Sequence, residues 1–181
     1  MVTWDEFEKA RAQAIPDQWT RYRWLEQREA EILGGRRLGI ERGARGFYRS
    51  AAYAYFTGSP PGAILLATTA CERLLRIITS SDENIFLAPL IDKAEQTHRV
   101  SSSMATQLRR VNRLIRVPIA HGKTAAMLGA LGMEKVDPFT WRVPKGQKRL
   151  TTVEAAQEAL ETFLRLLADL YDKEAKPTSG P

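Results

Sequence analysis

The sequence holds one cysteine and two histidines in 181 residues. A lone Cys71 excludes an internal disulfide and any cysteine-based zinc site, and His98 and His121 leave little for a histidine-based centre, so no metal or cofactor is expected. Long apolar runs are missing too. The longest, Ala63 to Cys71, is broken by Thr68 and Thr69 and is about half the ~20 residues that a bilayer-spanning helix requires. The first residues, Met-Val-Thr-Trp-Asp-Glu-Phe-Glu, are acidic where a secretory signal is basic and then apolar. No membrane association and a cytoplasmic location are therefore expected. A Gly-rich phosphate loop, an HExxH pair, a nucleophile elbow, an internal repeat and a long heptad run are likewise absent. The composition that remains, 44% hydrophobic and 27% charged, suits one globular domain with a real core.

Acidic residues are scarce in one region. Between Gln96 and Leu150 there are eleven Lys and Arg against only Glu134 and Asp137, so that segment carries +9 and the remainder −3. A smaller cluster comprises Arg36, Arg37, Arg42, Arg45 and Arg49, opposed only by Glu41. Arginine outnumbers lysine by 19 to 8, and the guanidinium fork suits phosphate oxygens. The partner this implies is RNA or DNA ahead of a membrane surface, because no basic stretch is flanked by a broad apolar face. A charge run can equally be a solvated face.

The apolar pattern is helical throughout. Thr3 and Glu6 form a capping box for a first helix to about Ala14, Pro16 restarts it, and Trp19, Tyr22, Leu25 and Ile32 share a face up to Gly34-Gly35. A third helix is expected from about Leu38 to Phe56, and a turn at Gly58-Ser59-Pro60-Pro61 leads into a core helix. There Ile64, Ala67, Cys71, Leu74, Leu75 and Ile78 recur at i, i+3, i+4 and i+7. Ser81 and Asp82 are candidate caps for a short helix through Phe86, Leu90 and Ile91, and Ser101 to Ser103 for the next, with Met104, Leu108, Val111 and Ile115 inward. Thr151 and Glu154 open a long last helix whose Val153, Ala156, Leu160, Phe163, Leu164, Leu167, Leu170 and Tyr171 face the core. The predicted organisation is an all-α bundle: residues 1–37 a helical extension, 38–175 the bundle with 122–150 as an elaborated basic loop, and 176–181 a flexible tail. Within the loop, Val136, Phe139, Trp141 and Val143 suggest one short extended piece.

One helix concentrates the chemistry. At 100° per residue, Arg109, Asn112, Arg113 and Arg116 fall within an arc of about 100°, opposite Leu108, Val111, Leu114 and Ile115. His121 follows five residues after Arg116, beyond Pro118, which removes a backbone donor and can kink the helix and re-aim the imidazole. Arg116-Val-Pro-Ile-Ala-His121-Gly resembles the signature of the HEPN domains, helical bundles that often act as RNases, in which an Arg and a His stand four to six residues apart near the end of a bundle helix. Tyr53 to Gly58 followed by Ala63 to Arg76 is similar to that family's earlier helix pair, where a residue matching Glu72 is common. The resemblance spans roughly Leu38 to Leu170. It implies a HEPN-like bundle and metal-independent endoribonuclease chemistry, the ribose 2′-OH attacking the adjacent phosphate. His121 would transfer the proton and Arg116 stabilise the phosphorane. Arg109, Asn112, Arg113 and Lys123 would hold the RNA, in a site shared across a homodimer and set in a defence or toxin–antitoxin-type assembly with a possible partner protein.

Each residue has a blander reading. His121 can be a structural or exposed histidine near a helix end, and His98 has no motif around it. Glu72 can be an i, i+4 partner of Arg76 or can orient Arg116. Cys71 lies mid-stripe and reads as packing. Trp141 with Lys145, Lys148 and Arg149 can clamp a single strand or anchor a long loop. Val117 stands where the family usually carries a polar residue, which favours the alternative of a catalytically silent subunit that binds nucleic acid or protein inside a larger assembly. A plain DNA-binding helical protein lacks support, since no helix-turn-helix spacing is present.

Overall fold

The computed structural model describes residues 4–36, 41–116, 134–135, 141–142 and 151–174, with side chains in the first helix described from Pro16 onward. The described chain is an all-α bundle. Its first helix, α1, runs Trp4–Leu33 without a break. This corrects the restart expected at Pro16: a proline removes one ladder bond and crowds the preceding turn, a cost of about 3 kcal/mol, yet Ala10 to Ala14 before it are all strong helix formers. The Thr3–Glu6 capping box lies outside the described residues and side chains. α1 ends at Gly34 and Gly35, both at positive φ (58° and 79°), a backbone that glycine adopts without strain.

α2 (Arg42–Phe56) starts at Glu41, whose carboxylate accepts from the Ala44 N–H at 2.9 Å. It returns antiparallel to α1: the Tyr48 hydroxyl donates to Glu29 at 2.6 Å, Trp24 packs on Tyr55, and Tyr22 meets Phe56, the last residue of α2. Leu25 and Leu33 of α1 are buried in the same core as Tyr48 and Tyr55. The second half of α1 is thus part of the bundle, on the near side of the boundary expected at residue 37. Tyr22 meets the last residue of α2 and Trp19 lies one turn further out, so of the face they share with the buried Leu25 these two rings are 59% (Trp19) and 39% (Tyr22) exposed.

Gly58 turns the chain at φ +90°, and α3 (Pro60–Thr79) begins with its prolines at the first positions, where a missing N–H costs nothing. Its stripe is buried as the spacing predicts, Ile64, Ala67, Cys71, Leu74 and Leu75 each at most 4% exposed. Two buried threonines on it, Thr68 and Thr79, donate back to Ile64 O and Leu75 O, so neither hydroxyl is left unmet. α4 (Leu87–Gln96) starts later than expected, after Phe86 and without a side-chain cap. Ser81 instead meets Thr79 and accepts from Lys93. α5 (Ser102–Val111) is capped by Ser101, whose hydroxyl accepts from the Met104 N–H, and passes directly into a π-helical turn over Asn112–Arg116.

The last helix, α6 (Thr152–Glu174), opens on the expected box: the Thr151 N–H donates to Glu154 at 2.7 Å and the Glu154 N–H to the Thr151 hydroxyl at 3.1 Å. It lies along α3 and closes the core with Ala156, Leu160, Phe163, Leu164 and Leu167, each at most 1% exposed. Phe163 stacks on Tyr48 at 4.7 Å between centroids; burying each such large side chain contributes about 1.5–3 kcal/mol. Between residues 117 and 150 the described residues are two short pieces, β1 (Glu134–Lys135) and β2 (Trp141–Arg142), paired antiparallel. They make the single extended piece expected there a two-sided pairing. No described helix is long and apolar enough to cross a membrane.

Candidate functional site

Glu72 sits on α3 beside the core stripe, only 8% exposed. One carboxylate oxygen accepts from Arg76 Nη2, a turn further on, at 2.5 Å. The other accepts from Arg116 Nη2, across the bundle, at 2.9 Å. Of the two readings open for Glu72, partner of Arg76 or support for Arg116, the structure has both at once. Arg76 Nη2 also donates to Ile85 O at 2.9 Å, which pins the α3–α4 link over the cluster. Arg116 Nη1 lies 3.5 Å from Asn112 Oδ1. The side chains of Arg76 and Arg116 are 18% and 24% exposed. One carboxylate against two guanidiniums leaves a net single positive charge, and it is partly withdrawn from water. There a charge acts more strongly on a nearby anion than it does at the surface.

The backbone that delivers Arg116 is not α-helical. A five-residue π turn spans Asn112–Arg116, and such turns recur at functional positions. The sequence supplies a reason: Pro118 has no N–H to offer Leu114 O, so the α ladder cannot continue regularly past this point. The consequence reaches the basic arc expected on an ideal helix. Arg109 is bound by Asp92 at 2.6 Å and Glu95 at 2.5 Å, both on α4, and Arg110 by Glu158 on α6 at 2.6 Å. Asn112 serves Arg116. Arg113 is exposed and has no ion pair among the described residues. For Arg109 to hold a phosphate it would have to leave two carboxylates.

His121 and Lys123 lie outside the described residues, as do Val117, Lys145, Lys148, Arg149 and the side chain of Trp141. Cys71 is fully packed, and burial pushes its thiol up to about 12, against the pull of Arg116. It is a thiol at physiological pH and not a nucleophile. His98 occupies the α4–α5 link at φ 54°, its carbonyl accepting from Lys173 at 2.8 Å, a structural post. Among the described residues no group of three His, Cys, Asp or Glu could hold a metal ion. Sequence reasoning missed the carboxylates that absorb Arg109; Asp92 and Glu95, at i and i+3 on one face of a helix joined to α5 by a short link, were the available signal. No family model matches the chain, and no curated protein or solved structure is significantly similar to it.

Proposed function

We propose that the chain is a metal-independent endoribonuclease of the HEPN type, acting in the cytoplasm in a defence or toxin–antitoxin-type setting. The observation that carries this reading is the Glu72–Arg116 contact at 2.9 Å. The two residues singled out by the resemblance on separate helices are each other's partners, and the arginine of Arg116-x4-His121 belongs to a cluster with a net single positive charge. Arg116 would stabilise the charge that builds on the phosphorane, and Glu72 and Asn112 would fix its orientation beforehand. His121 would take the proton from the 2′-OH or give one to the leaving 5′ oxygen. One such pair offers one proton-transfer group where acid and base are both required, so a homodimer with two copies lining one cleft completes the reading.

The test is cleavage of a mixed RNA pool with and without EDTA. His121→Ala should lower the rate by about 10²–10⁴-fold and Arg116→Ala by about 10²–10³-fold. The all-DNA copy should stay intact, and the products should end in a cyclic or 3′ phosphate. Val117 favours the second reading, a silent subunit that binds nucleic acid or a partner protein. If the wild type cuts nothing while Val117→Asn does, the silent reading replaces the first.

A further inference from the structure

Three arginines of the smaller sequence cluster, Arg42, Arg45 and Arg49, and a set of aromatic rings outside the core lie along one surface. On α2, Arg42, Arg45, Arg49, Tyr53 and Phe56 fall within an arc of about 80°, on a flank of the helix beside its buried Ala44, Tyr48, Ala51 and Tyr55. Across the groove, α1 contributes Trp19 and Tyr22. Four rings form a chain: Trp19 to Tyr22 at 5.9 Å, Tyr22 to Phe56 at 6.3 Å, Phe56 to Tyr53 at 5.1 Å, each edge-to-face. The two end rings, Trp19 and Tyr53, are 59% and 62% exposed. Edge-to-face contacts hold the inner rings at fixed angles and leave the outer faces free to stack.

Arginines flank this chain at both ends. Beyond Trp19, a cleft of about 380 Å³ is walled by Pro16, Thr20 and Arg23. Toward the other end, a cleft of about 550 Å³ is lined by Arg36, Arg45 and Arg49 with Glu26 and Glu29. Of these groups Glu26 and Glu29 accept from the Tyr22 and Tyr48 hydroxyls and keep their charge, and Arg36 is paired with Asp172. Arg45 and Arg49 carry no ion pair among the described residues.

We propose that this α1–α2 face binds single-stranded nucleic acid, bases stacking on Trp19 and Tyr53 and phosphates resting on Arg45 and Arg49. Flat rings and guanidiniums on one groove are the combination that single strands need, since every base has a π face and every linkage an anion. A duplex hides its base faces and would leave both rings unused. The run from Arg42 to Phe56 covers about 21 Å of helix, room for about six stacked nucleotides at ~3.4 Å each. The inference does not rest on the cleavage reading.

The test is fluorescence anisotropy with labelled 12-nucleotide single strands of 2′-O-methyl RNA and of DNA. Neither can be cut by 2′-OH attack, so the result is indifferent to nuclease activity. Wild type should bind at least one of the two at 50 mM salt and should bind the corresponding duplex more weakly. Trp19→Ala and Tyr53→Ala should each weaken binding by about 5- to 100-fold, with circular dichroism unchanged because both rings are exposed. Tyr53→Phe, which keeps the ring, should bind within about 2-fold of wild type. Arg45→Gln with Arg49→Gln should flatten the slope of log K against log salt by about 1.4. No binding to either strand, or wild-type affinity in the combined Trp19→Ala, Tyr53→Ala variant, overturns the proposal. So does sedimentation showing that those ring variants dissolve a dimer without changing strand affinity, because the occupant would then be a second copy of the chain.

Discussion

Replacing Glu72 by glutamine would remove the anion from between two guanidiniums. Arg76 and Arg116 reach its carboxylate at 2.5 and 2.9 Å, so the variant would leave two like charges side by side with one amide oxygen between them. Breaking a fully buried pair costs about 3–5 kcal/mol. Here the arginine side chains keep 18% and 24% of their exposure and the amide oxygen still accepts one bond, which brings the expectation to about 2 kcal/mol. Arg116→Gln is a different perturbation, because a neutral Glu72–Arg76 pair survives it, and about 1 kcal/mol or less is expected. At 2–4 °C per kcal/mol for a chain of this size, the melting temperature should fall by about 4–8 °C in the first variant and by no more than about 2–4 °C in the second. The double variant should recover about 1 kcal/mol relative to Glu72→Gln alone, since it also removes the repelling charge. Urea unfolding at pH 7, read by circular dichroism, measures all three. Equal losses in the two single variants, a reversed order, or no recovery in the double would refute the claim that one carboxylate balances two arginines.

Two further outcomes follow from the titrating groups. Glu41 is held at about 2 by the Ala44 and Gly43 N–H groups at the start of α2 and then by Arg73; a depressed carboxylate contributes stability above its unfolded value that is lost as pH falls. The gap in melting temperature between wild type and Glu41→Gln should therefore be full at pH 6–7, shrink below about pH 4.5 and close only below about pH 2, and a gap as wide at pH 2 as at pH 6 would contradict the assignment. Cys71, with its thiol pushed up to about 12 by burial, should not react with a thiol-specific disulfide reagent at pH 8 until the chain is unfolded in denaturant; one equivalent of rapid labelling of the native protein would show that α3 is not packed as described.

The parts of the fold legible in the sequence are those governed by local rules. The α3 stripe, the Ser101 cap and the Thr151–Glu154 box each depend on a few neighbouring residues and lie where spacing placed them. What failed depended on where one helix stops against another. Trp19 shares a helical face with the buried Leu25, but α2 ends at Phe56, opposite Tyr22, and no periodicity records that a partner helix has run out. Pro16 misled in the opposite direction, because a proline marks a cost and the surrounding helix formers decide whether the helix bears it. For the site, Glu72 and Arg116 were nameable from sequence, and their meeting across 44 residues of chain was implied only by the resemblance. The fate of Arg109 was not legible: an arc drawn on one helix says nothing about carboxylates on the next.

The position of α6 bears on how the chain is made. α3 is flanked early by α2 and α4, but the surface it presents to α6 stays uncovered until that last described helix has been synthesised. At ~5–20 residues per second, the interval between the end of α5 and the end of α6 is about 3–13 seconds of translation. During that time the nascent polypeptide displays a broad greasy strip to the ribosome surface and to chaperones. Any message that breaks off before α6 yields a product with that strip permanently open, a substrate for proteolysis more than a functional fragment. Glu72 and Arg116 are both present by then, yet the scaffold that holds α3 and α5 in register is completed only when Gln107 of α5 receives its partner, Thr162, from α6.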